Sequence, residues 1–310
     1  MFCGCKNRPE SFVDIFNFEP LESIHLDNWI DIVEERFDQL TQANLIVVSR
    51  NFKNCLIEIY NYYKENLSFH NHKHATDVFQ LGVCCLLRLT TTVKHFSKKD
   101  LFTYCVALLT HDIGHQGYTN DELKTQDNED IEPIYPTSCR LSIESDCSYV
   151  GSESLNEMRH VILGNHLLRK HNITYNKDLY NKLISYTDLC KHNEFINTHS
   201  LNTTKALTNI NVQHDILVLL LKLSDIGHIL RPWHWHCGCV IGLNNERGKL
   251  HSIEELPSDT IFFNEMFVRP LILILQNVNI GLAISLLKHY ECNIQKWKYI
   301  QVYTDLSKKN

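Results

Sequence analysis

An all-α fold, a compact bundle of many helices, is what this chain is expected to form. Apolar residues recur at i, i+3, i+4 and i+7 over long stretches, the repeat of one helical face. No alternating pattern of useful strand length occurs, and neither Asn-Gly nor Asp-Gly, the short hairpin signals, is present. Only 11 Gly and 7 Pro punctuate 310 residues, so turns are sparse.

The stripes follow in order. Leu26, Trp29, Ile30, Val33, Phe37 and Leu40 mark a helix over residues 26–40. Leu56, Ile59, Tyr60 and Tyr63 mark one over 52–63, and Val78, Leu81, Cys85 and Leu89 one over 74–89. Residues 101–115 and 214–229 read the same way. Polar stretches with Asn, Gly and Pro predict loops at 119–149, 193–211 and 243–258. The Trp233–His236 segment is expected as a further loop packed on the core. No linker rich in Gly, Ser or Pro divides the chain. One domain over 1–310 is therefore expected, with its core over roughly 12–300 and no separate regulatory domain.

The composition excludes several function classes. A formal net charge of −6 without a basic stretch gives no footprint for nucleic acid. The start MFCGCKNRPE lacks the apolar run of a signal peptide. The longest apolar runs, 216–221 and 271–275, are far short of a membrane span, and Gln276, Asn277 and Asn279 interrupt 270–287. None of the 12 cysteines forms a CxxC pair, so reduced thiols in a cytoplasmic protein are expected. The N-x-S/T triplets at Asn66, Asn172 and Asn202 are then chance matches.

Eighteen histidines carry more information, because several stand at short regular spacings. In His70-Asn71-His72-Lys73-His74, His70 and His74 are four apart and share a face if both are helical. His111-Asp112-Ile113-Gly114-His115 follows the apolar run 106–109. Asp225, in Ser224-Asp225-Ile226-Gly227-His228, follows the run 216–221. A carboxylate at such a place is costly unless paired or metal-bound. Pairing with Lys222 or a backbone cap is the plain alternative for Asp225, and Asp77 and Glu157 are possible partners for the imidazoles. Together the motifs supply imidazoles and carboxylates from three helices. Mixed N/O ligation suits Zn²⁺, and an oxygen-rich neighbour suits Mg²⁺ or Mn²⁺. Two such ions are an established design for phosphoryl hydrolysis.

At these residues the chain resembles the catalytic domain of the class I 3′,5′-cyclic nucleotide phosphodiesterases, within the HD-domain metallohydrolases. Residues 70–78, 111–120 and 224–228 carry the likeness in the family's order. Residues 52–67 and 187–192 are similar to its lead-in helix and its Thr-Asp-x-x-Lys-His stretch. The resemblance implies hydrolysis of cyclic AMP or cyclic GMP, a small-molecule substrate, to 5′-nucleoside monophosphates by a two-metal-activated hydroxide. It implies His74, His111, Asp112 and Asp225 as ligands of a tight zinc, with Asp112 also touching a second ion, Mg²⁺ or Mn²⁺. His115, Glu157 and Thr187 would hold that ion's water. His70 would be the general acid for the O3′ leaving group. Asn120 would sit near the phosphate, and His228 in the substrate site.

The chain departs from the family pattern in places. Phe69 replaces a tyrosine, Gln116 a proline, and the segment after Asn120 is longer. Alignment on Val268-Arg269-Pro270 puts Phe263 at the clamp on the base. It puts Thr260 where a base-binding glutamine is expected, after a shortened helix over 237–247. Two rivals follow: an HD-type hydrolase of another phosphoester, and a non-catalytic phosphodiesterase-like binding protein.

Overall fold

The computed structural model describes residues 26–90, 95–125, 153–199, 209–248 and 250–307. Among them the chain is helical and no strand occurs. The first helices are α1 (Leu26–Gln42), α2 (Phe52–Asn61), α3 (His72–Leu89), α4 (Lys98–Thr110) and α5 (Asn120–Thr125). Next come α6 (Leu155–Lys170), α7 (Lys177–Ser185), α8 (His192–His199) and α9 (Ile210–Asp225). The chain ends with α10 (Trp233–Glu246), α11 (Leu256–Phe263), α12 (Arg269–Val278) and α13 (Ile280–Ser307).

Local chemistry sets the ends of these helices. The Asn71 side chain accepts from the backbone N–H of Lys73 and His74 and starts α3. Ser97, Asn176 and Asn209 cap α4, α7 and α9 in the same way. Helix α3 is the central post, buried on nearly every side, with α4 and α9 packed along it. One apolar core runs from Trp29 on α1 to Ile294 on α13, and a satellite of Val240, Leu256 and Trp297 joins α10, α11 and α13.

Several sequence expectations are corrected. Helix α3 opens at His72, so His70 lies ahead of it, and α4 closes at Thr110, so His111 and Asp112 lie beyond its end. Residues 192–199 form α8 inside the expected loop 193–211. The loop expected over 243–258 is narrower, because α10 continues to Glu246 and α11 opens at Leu256. Trp233–His236 is not a loop but the first turn of α10, behind Pro232, whose fixed φ suits a helix start. The expectations at residues 12–25, 126–149 and 200–208, and at Cys3, Cys5 and Asn202, lie outside the described residues. All described cysteines are free thiols.

Residues Leu256–Val278 have the length and hydropathy of a membrane span. They are divided by a π-helical turn at Asn264–Val268, and Val268, Leu271, Ile272 and Leu275 sit in the protein core.

Candidate metal centre and active site

Four side chains from three parts of the bundle converge at the floor of a cleft. His74 comes from the first turn of α3, His111 and Asp112 follow the end of α4, and Asp225 is the last residue of α9. His111 Nε2 lies 3.2 Å from His74 Nε2, 3.1 Å from Asp112 Oδ2 and 3.4 Å from Asp225 Oδ1. His74 Nε2 lies 3.4 Å from the same Asp112 oxygen and 3.3 Å from the same Asp225 oxygen. The second nitrogen of His111 faces the Leu108 carbonyl at 3.0 Å, which leaves Nε2 free to face the cluster.

The donor set fits a divalent metal. Ligands at the ~2.0–2.1 Å bond lengths usual for zinc stand roughly 3.3 Å apart on a tetrahedron, and these atoms are spaced that way. Only Oδ2 of Asp112 joins the cluster, while Oδ1 points toward His160 Nε2, 3.7 Å away. One oxygen thus remains for a second ion. Burial opposes charge on His111, yet Asp112 and Asp225 outweigh it and hold the imidazole well above its usual range. Burial likewise opposes the Asp112 carboxylate, and His111 outweighs it and holds Asp112 low.

Gly114, with φ of +71°, turns the chain after this motif, and a Cβ there would meet Leu163 Cδ1 at 2.5 Å. The turn carries His115 back over His70: their rings stack with centroids 3.9 Å apart. Burial, with the nearby His70 charge, holds His115 well below the usual imidazole range, so it stays neutral beside its neighbour. His70 and His74 do not share a helical face as the spacing suggested. Both nevertheless reach the cleft, because His70 lies in the turn just ahead of α3.

Sequence reasoning missed the partner of His70. Glu246, at the end of α10, binds His70 Nδ1 and accepts from the backbone N–H of Phe69 at 2.7 Å and of His70 at 3.0 Å. Burial works against this carboxylate, but these hydrogen bonds hold its pKa below the ordinary value. Helix α10 comes this close because Gly242 lacks a side chain: a Cβ would meet the Ser68 carbonyl oxygen at 2.7 Å. No short spacing links Glu246 to His70, 176 residues earlier.

The remaining expected residues line the same cleft of about 510 Å³, a size suited to a small ligand. Asn120 donates to Glu157 at 3.0 Å and accepts from the Asn156 N–H at 2.8 Å. Burial, with Asp188 nearby, pushes the Glu157 carboxyl up to about 7. Thr187 faces the cleft and gives its hydroxyl proton to the Ile184 carbonyl. His160, which has no companion at ligand spacing in sequence, lies buried with Nδ1 on the Ile113 carbonyl at 2.7 Å. Two suggested pairings do not form. Asp77 pairs with Arg231 at 2.7 Å, and Lys222 donates to the Tyr186 carbonyl rather than to Asp225.

At the far end, Phe263 faces the cleft and packs against Phe267 with ring centroids 5.0 Å apart. Thr260 is buried in the wall, and Asn264 donates to its carbonyl at 2.8 Å while the Asn264 Oδ1 is buried without a partner. His228 lines the cleft beside Phe69.

A sequence model of the family described as 3′5′-cyclic nucleotide phosphodiesterase matches residues 69–256. The chain is 28% identical over 186 residues to a 3′,5′-cyclic-nucleotide phosphodiesterase, regA, of Dictyostelium discoideum, covering 56% of this chain and 21% of that protein. It is 29% identical over 219 residues to a human dual specificity calcium/calmodulin-dependent 3′,5′-cyclic nucleotide phosphodiesterase 1B, covering 64% of this chain and 37% of that protein. The chain thus spans about a fifth to two fifths of these relatives' length. In fold it is similar to the phosphodiesterase domain of the Salpingoeca rosetta rhodopsin phosphodiesterase. The TM-score is 0.77 at 18% identity, over 96% of this chain and 95% of that one.

Proposed function

The chain belongs to the 3′5′-cyclic nucleotide phosphodiesterase family, and on that premise we propose that it hydrolyses 3′,5′-cyclic nucleotides to 5′-nucleoside monophosphates. The observation that carries this reading is the four-atom cluster at the cleft floor with His70 and Glu246 beside it. His74, His111, Asp112 and Asp225 would hold zinc, since two imidazoles and two carboxylates suit that ion. The free oxygen of Asp112 would reach Mg²⁺ or Mn²⁺, with His115, Glu157 and Thr187 toward its water. Such ions supply an activated water and stabilise charge on the phosphorus oxygens.

The chain's own groups do the rest. His70 would donate its Nδ1–H to Glu246 as a hydrogen bond, which leaves the Nε2 proton of the imidazolium free to pass to the departing O3′. Glu246 is fixed by two backbone donors and orients that ring. Neutral His115 stacks on the ring and adds no competing charge. Asn120 orients Glu157 at the cleft wall. Phe263 supplies an apolar face for the base, and Thr260 replaces a bidentate amide with a short hydroxyl. The same reading treats the chain as one catalytic domain and places it in the cytoplasm.

The test uses the purified chain with zinc and magnesium, assayed against cyclic AMP, cyclic GMP and linear dinucleotides. Hydrolysis of at least one cyclic nucleotide, lost on chelation and restored by metal, is expected. Cleavage of linear esters alone overturns the reading in favour of another phosphoester hydrolase. Nucleotide binding with neither metal nor turnover overturns it in favour of a binding protein.

A further inference from the structure

One positive charge is sealed inside the bundle, on the side of the cleft where the second ion is expected. Lys222 lies on α9, one turn before Asp225, and is 2% exposed. Its Nζ donates to the Tyr186 carbonyl at 2.5 Å. The two residues after that carbonyl, Thr187 and Asp188, line the cleft together with Glu157. The hydrolytic reading gives this ammonium no task.

A carbonyl alone does not account for it. A neutral donor would satisfy Tyr186, whereas a buried ammonium is costly unless negative charge compensates it. That compensation comes from the cleft wall. Burial pushes Lys222 down to about 8, while Asp225, then Asp188, then Glu157 oppose the fall. The same charge is felt behind the wall, where burial first and Lys222 second push His192 down to about 4. Asp188 is itself fixed as an acceptor. Ser154 Oγ donates to one of its oxygens and the Cys190 N–H to the other.

The balance of charge is then specific. Asp112, Asp225, Asp188 and Glu157 face this part of the cleft. The other lining carboxylates are matched elsewhere, Glu246 by His70 and Asp259 by His251. A divalent ion in the four-atom cluster cancels two of the four negative charges, and Lys222 cancels a third. Glu157, held at about 7, supplies the last only in part at neutral pH. A second divalent ion therefore leaves the wall positive by about one charge. A phosphodiester carries one negative charge, which is the charge still missing.

We propose that Lys222 makes binding of the second ion depend on the substrate: its buried ammonium occupies charge that a free ion would otherwise use, so that ion and phosphodiester enter together. This rests on the cyclic nucleotide reading and its two ions. Lys222 touches neither ion nor substrate and acts through its field, which burial protects from screening by salt. By linkage, the ion tightens the nucleotide by the same factor as the nucleotide tightens the ion.

The test measures binding rather than turnover. Zinc-loaded protein is titrated with Mn²⁺, free Mn²⁺ being read by electron paramagnetic resonance. Without nucleotide, Lys222→Gln, which keeps a donor for the Tyr186 carbonyl, should bind Mn²⁺ at least about tenfold tighter than the parent, the effect of removing one nearby charge. Lys222→Arg, which keeps the charge, should stay within about threefold of the parent. Hydrolysis-resistant phosphorothioates of cyclic AMP and cyclic GMP should tighten Mn²⁺ in the parent by at least about tenfold, and by clearly less in Lys222→Gln.

Equal Mn²⁺ affinity in the parent and a zinc-retaining Lys222→Gln overturns the proposal. So does a parent that binds Mn²⁺ as tightly without the phosphorothioates as with them, a measurement that needs no variant to fold. A gain in Lys222→Arg as large as in Lys222→Gln assigns the effect to packing and overturns it too. Absence of cyclic nucleotide turnover alongside the expected nucleotide-free titrations sinks the functional reading and leaves the role of the Lys222 charge standing.

Discussion

The metal end of the cleft and its base end are made of different material. His74, His111, Asp112 and Asp225 stand at the ends of α3, α4 and α9, the most deeply packed helices in the molecule. Their neighbours, Val78, Leu108, Leu109 and Leu221, are at most 1% exposed. The base end rests on α10, α11 and the π-helical turn, where Phe262 and Met266 are 65% and 51% exposed and His251 pairs with Asp259 at the half-exposed rim. A close-packed interior holds side chains to a few tenths of an ångström, as shared ligation requires. A thin wall tolerates replacement, and Thr260 stands there where the family resemblance implied a glutamine. The histidine–carboxylate cluster is built into the core, and the Phe263 end of the cleft is left to a thinner layer.

The largest test of that contrast is Asp225→Ala. It should abolish stoichiometric metal and turnover together, as read by metal analysis and cyclic nucleotide assay. Retained zinc would contradict the ligand assignment. His70→Ala comes next: kcat should fall by about 10²–10⁴-fold, the usual worth of a general acid, with metal content unchanged. Loss of metal in that variant would blur the separation between the acid and the cluster.

Glu157 offers a smaller, pH-dependent test. Its carboxyl is held at about 7 in the folded chain, by burial first and Asp188 second, against 4.5 ordinarily. A raised carboxyl favours folding fully below its ordinary pKa and loses that advantage as pH rises through about 7. In chelated protein, Glu157→Gln should therefore be more stable than the parent at pH 8, by about 3 kcal/mol. The gap should close near pH 4. Thermal melts check this, and added metal should narrow the difference by supplying the missing positive charge.

The smallest effect is expected at the base end. Thr260→Gln should lower KM for a cyclic nucleotide by less than about tenfold and leave kcat, metal content and melting temperature near the parent values. A collapse of metal binding in this variant would show that the two ends are not separable.

His70, His74, His111, Asp112 and Asp225 were legible in the sequence because each follows or opens a buried helix at a short, fixed spacing. The helical period likewise located α1, α2, α3, α4 and α9 to within a few residues. Glu246 was not legible, since its relation to His70 is made by α10 folding back across 176 positions through the gap at Gly242. His160 was missed for the same reason, as α6 delivers it from outside every motif.

Local spacing thus determined the all-helical architecture and the imidazoles and carboxylates of the cleft cluster, because helical repeat and side-chain chemistry act over a few residues. The tertiary structure alone decided that Asp77 serves Arg231, that Lys222 serves a carbonyl, that Glu246 meets His70 and that Trp297 donates to His236. Those choices depend on which buried polar atoms meet once the helices are packed, and each such atom must find a partner or carry the cost of desolvation.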